Sequence, residues 1–180
     1  MEITLFSGRS LWTMIHGIVL SGGALTGLAI ALFSLVVMRP DPDHPGITAR
    51  QSRAIGNLMA VSAILLWLAV IVGTYVVFPA YRAAPPAGTA VLANYPRAML
   101  LADPATAWLH SFAMECKEHM PWIAAMLTTA AAFTGVRYRS TLLSDTSLRG
   151  MVTGLLGVSL VLSAFVGLLG IFVNKAAPLQ

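Results

Sequence analysis

Charge is what this sequence has least of. Asp, Glu, Lys and Arg make up 10% of its 180 residues and hydrophobic residues 57%, whereas an ordinary soluble domain is about 25% charged. Such a balance does not suit a water-soluble fold. Cysteine is almost absent as well: Cys116 stands alone, so no internal disulfide can form and the cysteine count is silent about redox compartment. There is no Gly-rich phosphate loop, no CxxCH haem-attachment motif, no HExxH and no Ser-His-Asp set. No internal repeat stands out, and nothing points to a nucleic-acid partner.

What the sequence has instead is long uncharged runs. Leu11–Met38, Ile55–Tyr81 and Met151–Val173 contain no Lys, Arg, Asp or Glu, and each exceeds the ~20 residues with which a helix crosses hydrocarbon. The first is too long for a signal peptide and lacks a small-residue cleavage site, so it is expected to be retained. A fourth run, Pro121–Val136, is too short to span comfortably alone. Its helix is expected to begin near Pro104, with Pro121 either opening the span or kinking a longer helix. The expected fold is an all-α integral membrane protein in one domain. It is a four-transmembrane-helix bundle with spans at about 11–38, 55–81, 104–136 and 151–173, and the outer part of the third is interfacial or extended.

Four spans put both termini on one side. The loops after the first and third spans hold Arg39, Arg50, Arg53, Arg137, Arg139 and Arg149; the opposite side holds Arg9, Arg82, Arg97 and Lys175, with Lys117 if it leaves the core. The positive-inside rule makes the first set cytoplasmic. The expected location is the inner (cytoplasmic) membrane with periplasmic termini, and the arginine collar favours anionic lipid headgroups. His16, the 82–103 connection and the segment from Trp108 to Trp122 then gather at the outer face, with only His44 opposite.

That last segment, WLHSFAMECKEHMPW, crowds His110, Glu115, Cys116, Lys117, Glu118 and His119 beside an apolar helix. Ionised residues tolerated at a membrane boundary between two tryptophan anchors account for part of this. Polar groups sunk near a bilayer are otherwise functional candidates. At about 100° per residue, Leu20, Gly23 and Gly27 lie within about 40° of His16. The two glycines are either a helix-packing motif, as Gly150 and Gly154 would be, or a flat groove in which a macrocycle approaches the backbone while His16 ligates its iron.

A second ligand at similar depth is expected from His119 or His110. Counting to the cytoplasmic ends of their helices places His16 at about 33 Å, His119 at about 26 Å and His110 at about 39 Å. The two candidates, nine positions apart, point about 180° away from each other on one helix. His119 is favoured because Glu115, four residues before it, can accept its other ring N–H. Arg82 and Arg97 are the loop cations available to haem carboxylates, and Tyr81 and Tyr95 could add hydrogen bonds.

In plan, four apolar helices with histidines on separate spans, the chain resembles the small membrane-anchor cytochromes b of respiratory complexes. That resemblance implies an oxidoreductase subunit passing electrons between quinol and an outer-side redox partner. With one polar cluster, one haem b is expected rather than two. Two other readings stay open. One is a cofactor-free accessory subunit that docks through its glycine strips into a larger membrane complex. The other is an outer-face copper or zinc site built from His110, Met114, Glu115, Cys116 and His119.

Overall fold

Helices are the only regular elements among residues 7–178, which the computed structural model describes. α1 is Gly8–Val37, α2 is Pro45–Arg82, α3 is the short Pro96–Ala102 and α5 is Thr146–Ala176. α4 covers residues 104–137 without interruption, in the pieces Pro104–Trp108, Leu109–Met114 and Glu115–Arg137.

The helix starts follow local chemistry. Asp103 accepts from the Ala105 N–H at 2.8 Å and Asp145 from the Leu148 N–H at 3.0 Å, each satisfying a donor that the first turn leaves free. Prolines occupy the first turns of α2, α3 and α4, where their missing N–H costs nothing. α2 begins ten residues before the expected Ile55, because the polar stretch from Thr48 to Arg53 continues the helix outside the apolar run. Pro121 lies within the continuous helix Glu115–Arg137 and leaves the Lys117 carbonyl without its helical donor.

The pairing of helices is read from residues that meet. Gly27 lies against Ser62, Gly23 against Leu65 and Gly73 against His16, so α1 and α2 run antiparallel. Gly56 meets Gly135, Trp67 meets Trp122, and Tyr81 meets His110, so α2 and α4 do likewise. Thr128 with Ser159, and Lys117 with Gly170, align α4 against α5. α5 closes the ring on α1. The 83–103 connection folds over the end where Tyr81 and His110 lie: Leu100 of α3 packs with Tyr81, Leu109 and Met114, and Arg9 donates to the Asn94 carbonyl at 3.1 Å.

The distribution of side-chain size identifies the solvent. Ala24, Ala31, Ala124, Ala125 and Ala131 are fully buried, whereas Phe33, Phe133, Val161 and Ile171 point outward. Small residues inside let backbones approach, and large apolar ones outside suit hydrocarbon. The Thr128 and Ser159 hydroxyls meet at 2.5 Å in the interior, and Ser159 also donates to the Ala124 carbonyl at 2.9 Å. α1, α2 and α5 are long and apolar enough to cross a membrane, with mean hydropathies of 2.0, 2.4 and 2.5. Three such helices suit a multi-pass membrane protein. Of the four expected spans, α4 does not meet that standard by length and composition, because its apolar part is threonine- and alanine-rich and adjoins the charged cluster.

Candidate functional site

The histidine end of the bundle, opposite the arginine-rich loops, departs from regular helix three times. The turns Ile15–Gly22, Gly73–Val77 and Leu109–Met114 are π-helical, and they contain His16, Gly73 and His110 respectively. Widened turns of this kind cost backbone stability and are frequent at functional sites. Here all of them lie at one end.

His16 projects from α1 toward α2, where Gly73 leaves room for its ring; a methyl on Gly73 would stand 2.7 Å from Cε1. Its Nδ1 is buried and makes no hydrogen bond of ordinary geometry, although the Ala69 backbone of α2 interacts with the ring. A buried imidazole nitrogen without such a bond is unusual. Across the bundle, the Lys117 ammonium reaches Gly170 of α5, where an added Cβ would stand 2.9 Å from Nζ. Lys117 makes no hydrogen bond or ion pair among the described residues, and its charge acts on His16. Gly73, Lys117 and Gly170 each stand twenty residues from Arg53, Arg137 and Gly150 on their own helices, about 30 Å at 1.5 Å per residue. One polar layer therefore receives His16 and Lys117, with a glycine facing each.

About 12 Å farther along α2, eight residues on, Tyr81 and Arg97 hold His110 between them. Arg97 Nε donates to Nε2 at 3.3 Å, and Tyr81 Oη lies 2.9 Å from Nδ1. A guanidinium only donates, so Nε2 accepts, and in the neutral ring Nδ1 carries the hydrogen toward Tyr81. Both nitrogens of His110 are thus engaged. His119 shows the opposite pattern. Its Nδ1 donates to the Glu115 backbone carbonyl at 2.8 Å, the Glu115 carboxylate is 3.8 Å away, and its side chain is 71% exposed. The ring N–H thus goes to the Glu115 backbone and not to the carboxylate on which the sequence expectation rested, and the ring faces outward from the bundle.

The structure therefore does not bring His119 to His16, nor His110 to the His16 layer. Gly23 and Gly27 are filled by Leu65 and Ser62 of α2, which makes them packing glycines and leaves no open groove beside them. Glu115 is exposed on the face of His119, and Cys116 and Met114 are buried on another. No group of three or more His, Cys, Asp or Glu among the described residues could hold a metal ion. His44 bonds to Asp41 at 3.0 Å in the loop at the arginine end.

Arg82 and Arg97 do come together. They line one pocket of about 120 Å³ whose other walls are Ala83, Ala84, Pro85, Ala98 and Leu101. Sequence reasoning singled out both arginines but missed the partnership of Lys117, Gly73 and Gly170. Counting residues from the arginine collar would have found it, because equal helix lengths put all three at one depth. Compared with known proteins, the chain matches no family model, no curated protein and no solved structure.

Proposed function

We propose that the chain is a membrane electron-transfer subunit that crosses the bilayer four times and holds one b-type haem near the outer face, with His16 as an axial ligand. In this reading it passes electrons between quinol and a partner redox protein within a larger complex. The observation that carries it is the Nδ1 of His16, buried against Gly73 without an ordinary hydrogen bond. A purely structural bundle gains nothing from that nitrogen or from the solitary Lys117 ammonium opposite it, and ligation would satisfy the first. The haem would supply the one-electron chemistry; the chain's part is to hold it in a dry, apolar bundle. A second nitrogen that would help to hold the haem is the Lys117 amine from the same layer, or His119 or His110 if α4 turns. A reduced-minus-oxidised optical spectrum of gently extracted membranes tests the reading. A b-type band that co-purifies with the chain supports it, and its absence at full protein yield sinks it.

The fourth crossing rests on register. α4 accompanies α2 from Gly56–Gly135 to Tyr81–His110, twenty-five residues of α2 or about 37 Å, more than the ~30 Å hydrocarbon thickness. With the arginine-rich loops in the cytoplasm of an inner membrane, both termini are periplasmic. Because Cys116 is buried, cysteines introduced at positions 50 and 90 can be labelled against a low background. Residue 90 is expected to react from the periplasmic side and residue 50 only after permeabilisation, and the reverse pattern would invert the topology.

A second reading, a cofactor-free subunit docked in a complex, is favoured by one face of the bundle. At Gly150, Gly154 and Gly157 of α5 an added Cβ meets nothing within 4 Å, unlike the filled Gly23 and Gly27. This open strip suits a helix from outside the chain. A haem-free preparation that still co-purifies with a partner complex would select this reading.

A further inference from the structure

We infer that Arg82 and Arg97 form a phosphate-binding site at the outer membrane surface, whose ligand is the phosphodiester of a lipid headgroup or free inorganic phosphate. The site shares no wall with the His16 layer, since its lining comes only from residues 82–85 and 97–101, and in this inference the two arginines serve a phosphate and not the carboxylates of a haem.

The first argument is charge without a counter-charge. Neither guanidinium lies within 4.0 Å of a carboxylate among the described residues, although both border the same pocket and both act on His110. Arg97 is oriented by its Nε bond to His110, which leaves its terminal nitrogens free, and the Arg82 guanidinium rests 5.4 Å above the Phe78 ring. Glu115 and Glu118 also act on His110, but neither closes an ion pair with either guanidinium among the described residues, so the two cations border the pocket without a carboxylate bound between them. Arginine forks match tetrahedral oxyanions with paired N–H donors.

The second argument is size and lining. A volume of about 120 Å³ is well above the ~10–15 Å³ that one water needs and leaves room for a small oxyanion. The remaining walls are apolar, and Leu101 and Met99 of the neighbouring α3 turn outward, where a glycerol backbone and the first acyl carbons would lie.

The third argument is depth. Arg82 is twenty-nine residues from Arg53 along α2, about 43 Å. That reaches past the hydrocarbon into the headgroup zone on the far side, where the bilayer including headgroups is about 40–45 Å thick. A phosphodiester layer stands at that level whether or not any soluble phosphate is present.

The test uses the full chain and two variants. Arg82→Gln removes one fork from a residue that makes no hydrogen bond among the described residues, and Ala98→Leu fills the pocket while keeping both charges. Each protein is reconstituted in phosphatidylglycerol nanodiscs, extracted into neutral detergent, and weighed by native mass spectrometry for retained lipid. In parallel, lipid-stripped protein is titrated with inorganic phosphate and followed by phosphorus-31 linewidth. If the source is lipid, wild type retains phosphatidylglycerol roughly tenfold better than both variants, as loss of one charge-assisted fork would give. If the source is free phosphate, only the titration separates wild type from the variants. Equal lipid retention together with equal, negligible phosphate broadening in all three proteins overturns the inference. Circular dichroism of both variants establishes that the helices persist.

Discussion

Gly56→Leu is expected to be the most destabilising single substitution in the bundle, costing about 1–3 kcal/mol or more, the range for overpacking a tight contact. A Cβ at Gly56 would stand 3.1 Å from the Gly135 carbonyl oxygen and 3.3 Å from its carbon. These are backbone atoms of α4, which cannot rotate aside as a side chain would. The space at Gly135 is already taken by the Met59 methyl group, so the two helices can separate only by moving bodily, and the buried contacts of Met59, Ala131 and Ala132 would go with them. Gly154→Ala is the matched control. Nothing lies within 4 Å of its added methyl, and helix propensity favours alanine by up to about 1 kcal/mol, so it should be neutral or stabilising. Thermal unfolding in detergent, followed by circular dichroism, measures both. Equal midpoints for Gly56→Leu and wild type would mean that α2 and α4 do not cross where the structure places them.

His16→Ala is expected to abolish the b-type absorption while the helices stay inserted, since insertion depends on the apolar runs and not on one imidazole. Occupancy should fall below roughly a tenth of wild type, because losing an axial bond exceeds the ~1.4 kcal/mol that a factor of ten represents. The companion variants identify the second nitrogen. His119→Ala should leave the band if the ring stays on the outer surface, where it is 71% exposed. Lys117→Ala should weaken haem retention and shift the band if the amine in the His16 layer helps to hold the group. Loss of the band in both histidine variants would mean that α4 turns inward when haem is loaded. Retention of the full band in His16→Ala would leave the buried Nδ1 without the role proposed for it.

The membrane character and the number of long helices were legible in the residues alone. The uncharged runs Leu11–Met38, Ile55–Tyr81 and Met151–Val173 became α1, α2 and α5 with ends displaced by a few residues, except at the start of α2. Hydrophobicity is a one-dimensional property, and a span needs only enough of it in a row. The start of α4 near Pro104 was equally visible, because the run Pro121–Val136 is too short to span alone; the structure adds Asp103 as its cap. That Arg82 and Arg97 are the loop cations of their side was also visible, and the fold sets both around one pocket.

Which polar side chains share a site was decided only in three dimensions. His119 has Glu115 four residues before it, as expected, yet a helix presents each residue at a fixed angle, and the interior face of α4 is set by packing against α2 and α5. That packing turns Lys117 inward and His119 outward. Gly23 and Gly27 read equally well as a groove or as a seam, and Ser62 and Leu65, far along the chain, settled it by occupying the space. The room beside His16 came instead from Gly73, fifty-seven residues away. The sequence by itself determined which stretches are apolar enough to cross a membrane, because burial in lipid sums over local composition. The tertiary structure decided which histidine looks inward, because rotation of one helix against another depends on the shapes of all the side chains that meet between them.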